Sequence, residues 1–320
     1  MPEIPADSDA SSAGLRSEPD QICESLRREV LERRADLAVL NYDELPSGKK
    51  AGLLLAAVPQ RSDSREAMVS ANGKVLAYLP AGSRFGIDLE RRAGQMLRRR
   101  SDVEILPIEG EPAERLGRLD AGEFDALIFS AAELDTLGLR ERISEYFDHD
   151  QMIPAPGQAA LALETRADDH EMLSLLEPLH DELTAHSVLA ERTCMISLGA
   201  TAHDALGVHA MTDGDRMSIW GIAVSSEGTR TARMQWSGPW RDAQDLGETL
   251  AELLKSIGAD KILSGEKIPP TVRYSYRPGG NTSSGLGFGG GPGPANDGAS
   301  SGAALPSRDP NGHAEDGPAR

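Results

Sequence analysis

The sequence predicts an α/β protein with two hinged, doubly wound domains, the first truncated at its N-terminus, followed by a small α+β third domain. Three observations carry this. Between residues 35 and 138, short apolar runs alternate with amphipathic stretches of helical period, the rhythm of βαβ units. After Asp169 the pattern changes to a long helical segment, three strand-like segments and a closing helix. Between the two regimes, residues 152–169 read MIPAPGQAALALETRADD, in which proline and proline-glycine turn chemistry leads into the apolar run ALALE. A strand at that point can return to complete the first sheet. Two α/β bodies are then joined by crossing segments, which makes a hinged, cleft-forming molecule.

The elements follow in order. QICESLRREVLERR is a helix that places Ile22, Leu26 and Val30 on one face. ADLAVLN and KAGLLLAAVP are short buried strands, and RFGI is another. DLERRAGQMLRRR is a helix capped by Asp88, and DVEILPI is a strand. EPAERLGRLDAG is a helix with Pro112 in its first turn. EFDALIFS is a strand, and AAELDTLG is a helix closed by Gly138. EMLSLLEPLHDELTAHSVLAERTCMISLG is helical. LGVHAMT, RMSIWGIAVSS and TRTARMQWSG form three antiparallel strands with turns at DGD and SEG. DAQDLGETLAELLKSIGAD closes the third domain as a helix. The boundaries this implies are 19–62 with 158–177 for the first domain, 63–157 for the second and 178–265 for the third.

The ends differ from the middle. Residues 1–18 are an acidic leader without an apolar core, so disorder is expected there and a signal peptide is not. Residues 266–320 become so rich in glycine and proline that a disordered tail is expected. The chain carries 33 basic and 51 acidic residues, a formal charge of −18, which argues against nucleic acid and acidic membranes as partners. Any anionic ligand needs a local positive site built against that field. Cys23 and Cys194 stand alone, with no CxxC spacing, so neither a disulfide framework nor a metal site is expected. No window approaches a membrane span, and a cytoplasmic location is expected.

Five blocks in order resemble the porphobilinogen deaminase (hydroxymethylbilane synthase) family. PAPGQAALALETRADD is similar to that family's PAVGQGALGIECRxDD. RADLAVLNYDELP resembles ADIAVHSxKDxP, and LPAGSRFGIDLERRAGQM resembles LPxGAxVGTSSLRRQAQL. RLGRLDAGEFDALIFSAAELDTLGL resembles RLxKLxxGEYDAIILAxAGLxRLGL, and AERTCMISLGATAHDALGVHA resembles AERxFLxxLxGGCQVPIGAYA. The resemblance runs from about Ile22 to Leu263. It implies two α/β domains around a cleft and an α+β domain carrying a dipyrromethane cofactor on a cysteine. It also implies the family reaction, in which four porphobilinogens are joined with loss of ammonia to give hydroxymethylbilane, a step of porphyrin and heme biosynthesis.

Carried over residue by residue, the resemblance meets several departures. The cofactor cysteine position is Ala202, whose methyl group cannot form a thioether, so the dipyrromethane implied by the family is expected to be absent. Cys194 lies eight residues earlier and reads as a small core residue. The family's lysine and catalytic aspartate fall on Asp43 and Glu44, which makes Glu44 the candidate catalytic carboxylate. An acidic loop between strand and turn is the alternative there. In the TSSLRR block the hydroxyl donors are replaced by Ile87, Asp88 and Leu89, while Arg91 and Arg92 remain. Asp88 would fill the family's anion site with the protein's own carboxylate. Arg115 remains in the next block, whereas Glu109 and Thr136 replace two further arginines. Arg91, Arg92 and Arg115 are therefore the candidate substrate-binding residues, with exposed helix charges as the alternative.

The family's opening IGTRxSxLAxxQ motif finds no counterpart before the first matched block. A missing strand leaves a sheet edge to be covered, so the expectation is either a marginal first domain or a protein partner that covers it. The two functional expectations are tetrapyrrole synthesis, impaired or lost in this copy, and a non-catalytic binding or regulatory protein. A small-molecule pyrrole or another anion is the expected ligand class.

Overall fold

A computed structural model of the protein describes residues 18–266 except 47, 49 and 202. The expectations for residues 1–17, for the tail from residue 267 and for Ala202 lie outside the described residues. The chain enters through α1 (Glu18–Leu31), β1 (Ala38–Asn41), a 3-10 turn at Tyr42–Glu44 and β2 (Leu53–Ala57). It continues through β3 (Glu66–Ser70), β4 (Arg84–Ile87), α2 (Glu90–Arg99), β5 (Glu104–Pro107) and α3 (Pro112–Asp120). β6 (Ala126–Ser130), α4 (Ala131–Thr136) and β7 (Glu145–Phe147) follow. The chain then crosses back into β8 (Leu161–Arg166), α5 (His170–Leu176) and α6 (Glu182–Ser197). It ends with β9 (Leu206–Asp213), β10 (Arg216–Val224), β11 (Thr231–Pro239), α7 (Ala243–Ser256) and α8 (Ala259–Leu263).

Local chemistry explains the helix ends. Pro112 opens α3, where a missing N–H costs nothing. The hydroxyl of Ser130 caps α4 by accepting from the Glu133 N–H at 3.2 Å. Asp169 and Asp181 cap α5 and α6, accepting from Met172 N and Thr184 N at 3.1 and 2.7 Å. Asp88 is not a cap, contrary to the sequence expectation. Leu89 holds that position in α2 with no side-chain bond, because the Asp88 carboxylate is drawn to two arginines instead.

The strands form three sheets, ordered β1-β8-β2, β5-β4-β6-β3-β7 and β11-β10-β9. ALALETR does return to the first sheet, as its central strand. Its neighbours are both antiparallel, with Leu40 opposite Ala162 and Leu53 opposite Arg166, so this sheet is not the parallel, doubly wound one expected. The second sheet is mixed, with β4 parallel to β5 and β6 and with β3 antiparallel to β6 and β7. Helices cover both of its faces. Met68 and Ile128 pack with Met96 of α2 on one side, while Val69 and Phe129 pack with Leu116 of α3 and Leu134 of α4 on the other. The third sheet is an antiparallel meander whose core includes Ala190 and Cys194 of α6 and Leu250 and Leu254 of α7.

Three further corrections have physical causes. α1 buries Cys23, Arg27 and Val30, while Ile22 and Leu26 are 58% and 40% exposed. Arg27 faces inward because it meets Glu164 of β8 at 2.7 and 2.8 Å, a buried two-point ion pair that hydropathy cannot register. The long helical segment after Asp169 breaks at Glu177–Leu179, where Pro178 removes an N–H and Asp181 restarts the helix. β3 and β7 were not expected from the sequence. EAMVS starts on a charge, and EYF spans only three residues.

Candidate functional site

Arg91, Arg92 and Arg115 come together, but not as free cations on a surface. Each is at most 5% exposed, which excludes the reading of them as solvated helix charges. The β4–α2 junction delivers Arg91 and Arg92, α3 delivers Arg115, and β3 and α4 bring Glu66 and Glu133 opposite them. Arg91 donates to Glu66 Oε1 at 2.7 Å, to Gln158 Oε1 at 3.3 Å and to the Ile153 carbonyl at 3.0 Å. Arg92 reaches Glu66 Oε2 at 2.9 Å and both oxygens of Asp88 at 2.8 and 3.0 Å. Arg115 donates to Asp88 at 2.7 Å and to Glu133 at 2.6 Å, and its guanidinium lies 4.6 Å over the Phe129 ring. Three guanidiniums thus face three carboxylates of the same chain.

The titration of these groups follows from that packing. Burial raises the Asp88 carboxyl, and the Arg92 and Arg115 cations more than offset it, so the net direction is down. For Glu133 burial wins over the same two cations, and the direction is up. Arg91 is depressed by burial and by the neighbouring Arg92 cation against the pull of Glu66, yet an arginine in this range stays charged.

The turn at Tyr42–Glu44 carries the two acidic residues at the family's lysine and aspartate positions. Glu44 is exposed, whereas Asp43 is partly buried. Burial pushes the Asp43 carboxyl up to about 7, and Glu44 adds to this. The residue's own backbone N–H and the Arg61 and Arg91 cations oppose it. The turn is held close to the crossing segment. A Cβ on Gly157, whose φ is +83°, would stand 2.9 Å from the Tyr42 ring and 3.2 Å from Asp43 N. Glu109 and Thr136 are exposed, and Thr136 donates to Ala132 O at 2.8 Å within its own helix.

A second buried hub lies at the crossing and had no signal in the sequence beyond the AER tripeptide. Glu191 of α6 is fully buried and accepts two bonds from Arg61 at 2.7 and 2.9 Å. It also accepts from Gly157 N at 2.7 Å and Ala210 N at 2.8 Å. Burial raises its carboxyl, but Arg61 and His209 outweigh this and hold it at about 2. His209 stacks on His149 at 3.8 Å between centroids, and His149 Nε2 lies 3.0 Å from the Ser64 hydroxyl. This hub joins three distant segments, so it holds the fold together at the crossing.

The fit to a covalent dipyrromethane is poor. Cys194 is buried in the third core with its thiol pushed up by burial, and Cys23 is 2% exposed with Sγ 3.6 Å from Glu44 O. Both cysteines are buried and free, so neither is presented to a ligand at the surface. Around the expected anchor, Thr201 turns onto Asp204 by two bonds of 2.6 and 2.8 Å. Among the described residues no group of three His, Cys, Asp or Glu is arranged to hold a metal ion, and no helix is long and apolar enough to cross a membrane.

Comparison with known proteins identifies the lineage. Residues 18–174 match the family model described as "Porphobilinogen deaminase, dipyromethane cofactor binding domain". The chain is 37% identical over 236 residues to the porphobilinogen deaminase of Syntrophotalea carbinolica, covering 74% of this chain and 75% of that protein. It is 38% identical over 246 residues to that of Acidothermus cellulolyticus, covering 76% and 74%. The enzyme of Roseiflexus castenholzii is 38% identical over 232 residues, covering 72% and 76%. The family-model match includes the α2 arginines and the crossing segment, and with relatives of this identity covered to about three quarters of their length the chain belongs to the porphobilinogen deaminase family.

Proposed function

We propose that this chain is a tetrapyrrole-biosynthesis family member in which the tetramerisation of porphobilinogen to hydroxymethylbilane is impaired or lost, and which carries no covalent dipyrromethane. The observation that carries this reading is the charge balance at the arginine cluster. Arg91, Arg92 and Arg115 are the cations left to meet pyrrole acetates and propionates, and each is already bonded to Glu66, Asp88 or Glu133. A pyrrole carboxylate would have to displace a carboxylate tethered at the site, which has the advantage of effective concentration. Asp43 adds negative charge beside the turn when ionised, and Ala202 supplies no sulfur. Glu44 is the remaining candidate for the carboxylate that steers a pyrrole cation.

A non-catalytic binding or regulatory role is the second reading. The specific observation in its favour is the hub around Glu191, a buried ion-pair and hydrogen-bond scaffold built from the chain's own residues. The discriminating experiment combines intact-mass analysis of purified protein with assay of porphobilinogen consumption and uroporphyrin formation. The bare polypeptide mass and no turnover are expected. A dipyrrole mass excess, or turnover that disappears in Glu44→Ala, would overturn the proposal and restore an enzyme that uses Glu44.

A further inference from the structure

Asp88 sits where two buried guanidiniums converge. Arg92 approaches both of its oxygens at 2.8 and 3.0 Å, and Arg115 approaches one at 2.7 Å. Each arginine keeps a second carboxylate of its own, Glu66 for Arg92 and Glu133 for Arg115. The Arg115 Nε is buried without a hydrogen-bond partner, so the cluster still has an unused donor. The arginine side chains are 5% and 6% exposed, whereas that of Asp88 is 25% exposed. The carboxylate therefore lies on the path between the buried cations and solvent. With Asp88 the cluster is neutral, and without it Arg91, Arg92 and Arg115 face only Glu66 and Glu133, which leaves one positive charge in a water-poor site.

We propose that Asp88 is a built-in anion, a specificity-determining residue that occupies an oxyanion site formed by Arg92 and Arg115 and closes it to free carboxylates and sulfate. This rests on the reading that the cluster does not serve pyrrole carboxylates in the native chain. The chemistry of the site is that of a compact oxyanion held by forked guanidinium donors. Shortening Asp88 to serine removes the charge and two heavy atoms, opening a gap toward solvent that a free anion can enter with N–H donors on two sides. Asp88→Asn removes the charge but keeps the volume, so the gap remains filled.

The test compares wild type, Asp88→Ser, Asp88→Asn and the double variant Asp88→Ser/Arg115→Gln by thermal denaturation in sodium sulfate and in sodium acetate. Sodium chloride is the control at matched ionic strength. Asp88→Ser is expected to melt below wild type and to recover several degrees, saturably, with sulfate or acetate. Asp88→Asn and the double variant are expected to lose stability without such recovery, and wild type is expected not to respond. Where Asp88→Ser does not fold alone, its refolding yield with and without sulfate gives the same readout. Equal rescue of all variants, no rescue of Asp88→Ser by either anion, or a saturable wild-type response that Arg115→Gln removes would each overturn the proposal. The outcome is independent of the intact-mass and turnover tests above. A dipyrrole on the native chain would sink the functional reading, whatever sulfate does to Asp88→Ser.

Discussion

Asp43 and Glu44 are adjacent carboxylates with different surroundings. The 3-10 turn aims Glu44 at solvent and folds Asp43 toward Arg61, Arg91 and the crossing segment. The Asp43 carboxyl rises from an ordinary 3.8 to about 7, so between those values the folded state binds more protons than the unfolded one. Stability contributed here falls as pH rises through that window, and the loss is complete above it. Asp43→Asn keeps the shape and abolishes the titration. Its stability relative to wild type is expected to be unchanged near pH 4 and higher by about 1 kcal/mol at pH 8, allowing for screening of a partly exposed group. Denaturant melts at the two pH values check this, and an equal difference at both would show that Asp43 does not titrate as described. The acidic pair was legible in NYDELP, but which member is enclosed was not. That depends on a turn pressed against Gly157, a residue more than a hundred positions away.

α2 contacts all of its surroundings at once. One face supplies Met96 to the second core, its first turn supplies Arg91 and Arg92, and Gln95 clamps the crossing segment through Ile153 N and O at 2.8 and 2.9 Å. A third face lies against the end of β10. A Cβ on Gly94 would overlap the Ser225 carbonyl and stand 2.9 Å from Val224 Cγ2, and a backbone oxygen cannot move aside as a flexible side chain can. Gly94→Ala is ordinarily favourable in a helix by up to about 1 kcal/mol. Here it is expected to destabilise by about 1–3 kcal/mol through overpacking, read as a lower denaturation midpoint with unchanged slope. A neutral or stabilising result would mean that α2 does not pack on β10 this closely. The helix itself was readable from ERRAGQMLRRR. Its cap was not, because Asp88 had two competing uses, and long-range ion pairs outweighed a local bond to the helix N-terminus.

At the scale of the whole molecule, the Glu191 hub ties α6, the 58–66 segment, the crossing and β9 together, with the His149–His209 stack on its edge. Burial holds both imidazoles below their ordinary 6.5, with His149 at about 4; His209 and Arg61 also depress His149, against Glu191 and Asp63. The unfolded chain therefore takes up protons before the folded one, and stability is lost as pH falls from about 6.5 toward about 4. His149→Phe keeps a stacked ring and is expected to flatten that loss by about 1 kcal/mol, measured as the difference in unfolding free energy between pH 7 and pH 5. An unchanged slope would place the acid sensitivity elsewhere. By itself the sequence determined the family, the α/β character, most strand and helix positions and the return of ALALETR to the first sheet. These depend on residue period, turn chemistry and ordered motifs, all of which are local. Only the tertiary structure decided that Arg91, Arg92 and Arg115 are buried and neutralised, that β8 pairs antiparallel on both sides and that Arg27 points inward. Each of those depends on partners distant in the chain, and the low dielectric of a packed interior makes such pairings outweigh what a residue's neighbours in sequence would suggest.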